Sequence, residues 1–266
     1  LNLGELADVH QLRDSALVAR FGTPYQYQIT ATKGPTEFNA TNLPTGLSVN
    51  TSTGVISGTP QATGSFDVQI SASNPSGKDT KTMRLQVLRG RQSIQFEQTL
   101  AGLRYGSPPS DLKATTTSGL PVTFQITSGA QRVDLNGTRL SFKSPGMVTL
   151  RITQPGDGNW FPAEPIVRQI QISRAELTVT AHNQFRKTGV TNPALTYAVT
   201  GFVYDENASV FDQNVTVSTN AITSSPAGDY PITPAGGASA NYFFTYLPGI
   251  LTVSDKKSQN LIFDQN

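Results

Sequence analysis

Cysteine is absent from all 266 residues of the chain. Its absence excludes disulfide frameworks, thiolate nucleophiles and cysteine-ligated zinc. Secreted domains of similar size often use disulfides, so each domain here must hold its fold with a hydrophobic core alone.

Charged residues and long apolar runs are also scarce. Only 14% of the residues are charged, against about 25% in typical globular domains. No run of eighteen apolar residues occurs, so we expect no membrane insertion in this segment. The first residues, LNLGELADVHQ, lack the basic flank and apolar stretch of a secretory signal. We interpret the chain as a fragment or a mature form.

The residues that usually carry catalysis are few and scattered. The two histidines, His10 and His182, fall in different predicted domains, and no Ser-His-Asp constellation follows from them. Asp205 and Glu206 could form the carboxylate pair of a glycoside hydrolase. Adjacent residues on a strand face opposite ways, however, and in a turn they are usually solvated. We therefore expect no catalytic residue and no cofactor.

The net charge of +2 is unevenly distributed along the chain. Residues 89–174 carry +5 and residues 175–254 carry −3. The basic middle could favour an anionic partner, but arginines scattered over solvated strand faces are the favoured interpretation. No clustered basic stripe occurs, so we expect no nucleic-acid partner.

Period-2 alternation of apolar residues predicts a mostly β chain. Alternating segments lie at 66–72, 83–87, 122–126, 148–152 and 177–179, with turn residues between them. Asn136-Gly137 predicts a two-residue hairpin turn. Residues 204–211 could form a single helical turn. The run Tyr242-Phe243-Phe244 alternates as a strand should, and we expect it in the core.

The segment LPTGLSVNTSTGVISGTP at residues 43–60 has no charge, no histidine and no cysteine. Leu47 and Val49 alternate, residues 50–54 turn the chain, and Val55-Ile56 begin the return. Gly58-Thr59-Pro60 ends that strand, because proline cannot donate to a central ladder. The segment is predicted to be a structural hairpin without chemistry of its own.

A repeat defines the predicted domains. The sequence QSIQFEQ at 92–98 returns as QNLIFDQ at 259–265. Both copies follow the end of a strand pattern. The unit between them divides again near residues 173–175, where one strand pattern ends at 170–172 and another begins at 177–179. These boundaries predict domains at 1–88, 89–174 and 175–254, with residues 255–266 starting a further repeat. The short linkers favour a semi-rigid rod.

Three known families resemble these segments. LPTGLSVNTSTGVISGTP and the following GSFDVQISASNPSG resemble the Ig or cadherin-like repeat of bacterial surface proteins. Residues 92–172, with SGLPVTFQITSG and GDGNWFPAEP, are similar to the bacterial Ig-like repeat. Residues 176–253 resemble the MBG domain through NPALTYAVTGF, SSPAGDYPITPAGG and NYFFTYLPGILTV, although Thr188-Gly189 replaces the family's usual Tyr-Gly.

The resemblance implies two Ig-like β-sandwiches followed by a β-grasp-like MBG domain with at most one short helix. It also implies a repeated part of a large secreted or surface-anchored bacterial protein. Cadherin-like repeats often bind calcium between carboxylates, but Asn74 stands where such turns often carry Asp, and the Asp157-Gly158-Asn159 turn lacks further ligands. We therefore expect no metal site.

Trp160 and Phe161 are the one candidate ligand contact. An exposed aromatic platform could stack on a sugar ring, whereas the alternative places one ring in the core and the other partly exposed. We favour the alternative.

Two classes of function remain open. The first is a non-catalytic structural or adhesive stalk on the bacterial cell surface, in contact with neighbouring repeats and with a host or matrix protein or glycan. The second is a carbohydrate-binding or accessory module of a secreted polysaccharide-active protein.

Overall fold

The computed structural model describes the backbone of residues 8–10 and all atoms of residues 17–255. The side chain of His10 and the expected further repeat at 255–266, apart from Asp255, lie outside the described residues. Contacts divide the described chain into two compact units. The first contains the described residues up to 97 together with 114–123 and 152–166, and the second contains 98–113, 124–151 and the residues from 167 onward.

Nine strands form the N-terminal part of the first unit. They are β1 (Asp8–His10), β2 (Leu17–Arg20), β3 (Tyr25–Gln28), β4 (Thr30–Thr32), β5 (Glu37–Thr41), β6 (Leu47–Val49), β7 (Val55–Gly58), β8 (Gly64–Asn74) and β9 (Gly77–Leu88). The sheet β2-β9-β8-β5 and the sheet β3-β7-β6 enclose the core, and β1 pairs with β4. Ile29, Ile56, Ile70 and Leu85 are almost completely buried in that core.

The predicted hairpin at residues 43–60 is confirmed. β6 and β7 pair antiparallel, and the side chain of Asn50 accepts hydrogen bonds from the backbone nitrogens of Ser52 and Thr53 at 3.0 Å. Gly54 takes φ +74°, and a Cβ there would lie 2.8 Å from the ring of Phe38. The segment therefore needs glycine at this turn for both backbone conformation and space.

The middle of the chain contributes strands to both units. The strands are β10 (Ile94–Gln95), β11 (Ser110–Asp111), β12 (Thr115–Thr116), β13 (Thr123–Ser128), β14 (Val133–Asn136), β15 (Arg139–Phe142), β16 (Gly146–Thr153) and β17 (Ile166–Ile172). They form the sheets β10-β12, β11-β15-β14 and β13-β16-β17. A 3-10 turn at Ala130–Arg132, which the sequence did not predict, precedes β14.

The predicted hairpin around Asn136 is confirmed with its turn one residue later. Asn136 pairs with Arg139, which leaves Gly137 and Thr138 as the turn residues. Gly137 has φ +61°, whereas Asn136 belongs to the strand. Glycine accepts the positive φ at lower cost than asparagine, and this preference sets the register.

The C-terminal segment of the second unit has seven strands. They are β18 (Ala175–Ala181), β19 (Gln184–Lys187), β20 (Tyr197–Thr200), β21 (Gln213–Thr219), β22 (Gly228–Ala238), β23 (Tyr242–Leu247) and β24 (Gly249–Ser254). The sheets are β20-β18-β23 and β19-β24-β22-β21, with β18–β23 and β19–β24 pairing in parallel. The expected helical turn is the 3-10 turn Ala208–Val210. The described chain is mostly β, as expected.

Two side chains of this segment depart from the pattern of an apolar core under a polar surface. Arg186 is only 4% exposed and donates to the side chain of Asn192 and the carbonyls of Lys187 and Ile222. These bonds satisfy a guanidinium that would otherwise be costly to bury. The expectation for the aromatic run is wrong at one position: Phe243 is 43% exposed, because alternation along β23 turns it outward.

Candidate functional site

The loop that presents Trp160 is shaped by an acidic side chain. Asp157 Oδ1 accepts hydrogen bonds from the backbone nitrogens of Asn159 (2.8 Å) and Trp160 (2.7 Å). The backbone nitrogen of Asp157 donates to the carbonyl of Trp160 at 3.0 Å. Gly156 has φ +75°, and a Cβ there would lie 2.4 Å from the Trp160 carbonyl. The carboxylate thus serves the turn itself.

The indole of Trp160 packs against the N-terminal Ig-like segment. It meets the ring of Phe21 edge to face, with centroids 5.3 Å apart and planes at 83°. A Cβ on Gly90 would lie 2.6 Å from the indole ring, and one on Gly22 would lie 3.0 Å from it. We call Phe21, Gly22, Gly90 and Trp160 the tryptophan latch. The indole is half-buried because the two glycines leave space for it.

Backbone hydrogen bonds fasten the same loop. Gly90 donates to the carbonyl of Asn159 at 2.8 Å and accepts from the nitrogen of Phe161 at 2.9 Å. The hydroxyl of Thr63 donates to the carbonyl of Gly158 at 3.2 Å. The loop is therefore bound to the N-terminal segment on both sides of the indole.

Phe161 lies in a different setting from its neighbour. It is 41% exposed, and the guanidinium of Arg89 lies 5.9 Å from its ring centroid. Its carbonyl accepts from Gln92 at 2.7 Å. Trp160 and Phe161 are thus adjacent in sequence but do not form one shared platform, and their role as ligand contacts stays a prediction.

A second aromatic cluster lies in the second unit. Tyr105 and Tyr242 both donate their hydroxyls to the carboxylate of Glu206, the first at 2.8 Å. Tyr242 also accepts from the nitrogen of Val203 at 3.0 Å. Burial, followed by the Glu206 hydrogen bond, raises the pKa of Tyr242 to about 12 and that of Tyr105 further above its usual value. Both phenols are therefore neutral donors at physiological pH.

The turn that carries Glu206 has an unusual backbone. Tyr204 and Asp205 have φ of +56° and +57°, a conformation that costs of order 1–3 kcal/mol per non-glycine residue. The Tyr204 ring packs edge to face on Tyr105 with centroids 5.2 Å apart, and its hydroxyl donates to the Phe142 carbonyl at 3.0 Å. We call Tyr105, Tyr204, Glu206 and Tyr242 the tyrosine cluster. Its contacts hold the turn in place.

A glycine again makes the close approach possible. A Cβ on Gly106 would lie 2.5 Å from Cγ1 of Val203. The cluster therefore joins residues 104–106 of the middle segment to the turn at 203–206. Sequence reasoning missed this partner of Glu206, because 101 residues separate Tyr105 from Glu206 and neither residue type indicates the other.

The remaining candidate groups have ordinary structural roles. The Nδ1 atom of His182 lies 3.0 Å from the hydroxyl of Thr196. The amide of Asn74 donates to the Lys33 carbonyl at 2.9 Å, and its oxygen accepts from Ser76. Over residues 17–255 no group of three or more His, Asp or Glu side chains is placed to hold a metal ion. The described chain also has no helix long and apolar enough to cross a membrane.

Two family models match segments of the chain. Residues 13–88 match the family described as "Putative Ig domain", and residues 177–252 match the MBG domain (YGX type). No curated protein matches the chain. The expected families are therefore confirmed for these two segments, and the resemblance of residues 92–172 to the bacterial Ig-like repeat stays a prediction.

Solved structures overlap the chain more distantly. The titin domains z1z2 in complex with telethonin are 16% identical, with a TM-score of 0.39, over 64% of this chain and 96% of that one. Human Protocadherin-24 EC1-2 is 13% identical, with a TM-score of 0.33, over 64% and 98%. A structure titled "putative alpha-galactosidase/melibiase" from Bacteroides fragilis is 25% identical, with a TM-score of 0.29, over 31% of this chain. None of these overlaps is close enough to transfer a function.

The chain spans less than a fifth of the two alpha-galactosidase structures it overlaps, 17% and 19%. Ig-like and MBG domains are typically non-catalytic. Ig-like and cadherin-like domains are typical of extracellular or surface proteins. The chain thus contains a Putative Ig domain and an MBG domain, which are modules of a structural or adhesive kind.

Proposed function

We propose that this chain is a non-catalytic stalk segment of a large secreted or surface-anchored bacterial protein. Its Ig-like and MBG modules act as spacers that hold other parts of the parent protein away from the cell. Its constant partners are the neighbouring repeats of the same chain, and a host or matrix protein is the partner of the assembled molecule.

The packing of the aromatic side chains between segments of the chain is the main support for this proposal. Trp160, the sole tryptophan, packs on Phe21 and two glycines instead of lying free on a loop. The strained turn at Tyr204 and Asp205 likewise fastens the middle segment to the MBG segment. Side chains that a binding loop would display are used here to fix successive segments to one another, which is what a spacer requires.

The glycoside-hydrolase alternative has little support from the carboxylates. Asp205 and Glu206 do not act as a pair, because Glu206 is engaged by Tyr105 and Tyr242. A retaining enzyme needs two carboxyl groups about 5 Å apart facing one sugar, and an inverting enzyme needs them somewhat further apart. We therefore assign the chain a structural role and no hydrolytic one.

A module swap in the parent protein tests the proposal. Bacteria displaying the parent protein are compared with two derivatives: one lacks residues 17–255, and one carries unrelated tandem Ig domains of equal length in their place. Adhesion that is lost on deletion and restored by the swap supports the spacer. Adhesion that is lost in both derivatives would show that these modules recognise the partner themselves.

A carbohydrate-binding role is the second candidate. The pair that first pointed to it, Trp160 and Phe161, offers no shared platform. A groove in the second unit offers better chemistry for this role.

A further inference from the structure

A groove of about 620 Å³ opens in the second unit. The groove is lined by Arg132, by the Pro145-Gly146 turn, by residues 171–174, and by Ala240 and Phe243. A smaller groove of about 380 Å³ adjoins it and shares Arg174, Ala240 and Phe243. We call the larger one the arginine groove. Its volume lies within the range of small-ligand sites, about 300–1,000 Å³.

The walls of the arginine groove carry two positive charges and no carboxylate. Arg132 is half-buried, and its side chain lies over Gly146, where a Cβ would come within 2.5 Å of the guanidinium carbon. One of its nitrogens donates to the Pro145 carbonyl. Arg174 is exposed. Among the described residues, neither arginine forms an ion pair, unlike Arg84 with Asp67 at 2.9 Å.

The position of Arg132 is fixed before any ligand arrives. Gly146 has φ +133° and provides the space in which the guanidinium lies, and the Pro145 carbonyl orients it. A guanidinium has five donors in a rigid fork, so most of them are still available to an anion. A cation held in this way loses less side-chain entropy when it binds.

Phe243 adds an apolar surface beside the two arginines. Its ring is 43% exposed, because its neighbour Tyr242 points into the core and alternation turns Phe243 outward. Leaving a large ring exposed at a charged groove does nothing for the stability of the fold. The ring is therefore accessible to a ligand from solution.

Two acidic side chains near the groove restrict where an anion can bind. Glu176 lies opposite Phe243 in the β18–β23 register, and its carboxylate accepts from the Thr245 hydroxyl at 2.7 Å. Asp212 lines the smaller, adjoining groove. The favourable place for a negative charge is therefore the side of Phe243 that faces Arg132 and Arg174.

From this arrangement we propose that the arginine groove binds an anionic saccharide, with the sugar ring on Phe243 and its acidic group on Arg132 and Arg174. A planar guanidinium binds carboxylate or sulfate oxygens in bidentate fashion. The C–H face of a pyranose is a natural partner for an aromatic ring, and Gln171 and Ser173 supply polar groups for hydroxyls. The +5 charge of residues 89–174 attracts such a ligand.

Affinity electrophoresis of the full chain tests this proposal. Gels contain polygalacturonate (carboxylate only), heparin (sulfate and carboxylate), dextran (neutral) or poly-L-glutamate (an acidic peptide). We expect retardation by polygalacturonate, by heparin or by both, and none by dextran. Retardation by polygalacturonate assigns the acidic group as a carboxylate, and retardation by heparin alone assigns it as a sulfate.

Matched variants separate a site from general charge attraction. Arg174→Gln and Phe243→Ala remove exposed groove residues, and each is expected to weaken binding about tenfold, the loss that follows from one charge-assisted or stacking contact. Arg168→Gln and Phe185→Ala remove an exposed arginine and an exposed phenylalanine outside the groove lining, and should change binding less than twofold. Circular dichroism confirms folding, and either groove variant alone suffices if the other fails to fold.

Three results would overturn the proposal. The first is the absence of retardation by both anionic polysaccharides. The second is an equal loss of binding in Arg168→Gln and Arg174→Gln, which indicates non-specific charge attraction. The third is equal retardation by poly-L-glutamate that Phe243→Ala leaves unchanged, which indicates an acidic peptide. The module swap reports on the spacer role separately, since it measures adhesion of the parent protein.

Discussion

The tryptophan latch predicts that one added methyl group will displace the indole. Gly90→Ala places a Cβ 2.6 Å from the Trp160 ring and 2.8 Å from the Phe21 carbonyl, well inside van der Waals contact. Gly90 does not have a positive φ in the left-handed range, so the change adds no backbone strain. Overpacking of this kind costs about 1–3 kcal/mol, and we expect a loss of about 2 kcal/mol in the free energy of unfolding.

The same loop supplies the control. Gly158 also lacks a left-handed φ, and a Cβ there meets nothing within 4 Å. Gly158→Ala should therefore leave stability unchanged or raise it slightly, because alanine lowers the entropy of the unfolded chain.

Tryptophan fluorescence is the direct assay, because Trp160 is the sole tryptophan. Gly90→Ala should move the emission maximum to longer wavelength and lower the urea midpoint, while Gly158→Ala changes neither. Equal spectra and midpoints for the two variants would refute the contact between Gly90 and the indole.

Replacing Trp160 with alanine gives an independent measure of how much the indole contributes to the free energy of unfolding. A fully buried tryptophan costs about 3–5 kcal/mol when replaced by alanine, and Trp160 is half-buried. About half of that range plus ~0.5–1.5 kcal/mol for the edge-to-face pair with Phe21 gives about 2–4 kcal/mol for Trp160→Ala. Urea unfolding followed by circular dichroism measures it, and a loss below ~0.5 kcal/mol would mean that the ring is free.

Three further predictions concern the tyrosine cluster and the turns. Tyr105→Phe should destabilise the fold by about 1–3 kcal/mol, measured by urea unfolding, because it leaves Glu206 with one hydrogen bond fewer; an unchanged midpoint would contradict this. Folding raises the pKa of Tyr242 to about 12 from an ordinary value of 10. The stabilising contribution of its phenol is therefore complete below pH 10 and is lost as pH rises towards 12. When unfolding is measured at increasing pH above 10, the free energy of unfolding should fall less steeply in Tyr242→Phe than in the unchanged protein. Millimolar calcium after chelation should not raise the melting temperature, since the Asn74 amide donates to Lys33 where a metal site would need a carboxylate; a rise of several degrees would refute this.

The sequence predicted local structure better than it predicted partners. The hairpin at 43–60 followed from glycine, proline and alternation, which act over a few residues. The predicted Asn136 turn is displaced by one residue, because the observed turn needs a positive φ at Gly137 but not at Asn136. Phe243 was assigned to the core because a run of aromatic residues looks apolar, although alternation alone indicates that the middle residue points outward.

The candidate site was less predictable for a physical reason. A side chain's partners depend on which distant segments the fold brings together. Phe21 is far from Trp160 in sequence, as Tyr105 is from Glu206. The hydrophobic or acidic character of a residue does not indicate which distant residue it will contact. Nothing in the sequence distinguishes Gly22, Gly90 and Gly106 from other glycines, yet each leaves the space of a missing Cβ for a particular side chain.

These contacts bear on how a cysteine-free chain of small modules stays folded. Domains of the size expected from the sequence, about 80–90 residues, would bury only slightly more than ~60% of their unfolded surface and would be modestly stable alone. When neighbouring segments share a contact, each gains an interface term in addition to its own stability. The tryptophan latch and the tyrosine cluster supply such terms without a disulfide. A variant that weakens the latch should therefore lower the stability of the N-terminal Ig-like segment as well as that of the Trp160 loop. In Gly90→Ala, amide hydrogen exchange should become faster in β2 and β9, which lead into Phe21 and Gly90. If exchange becomes faster only within residues 156–163, the two segments fold independently.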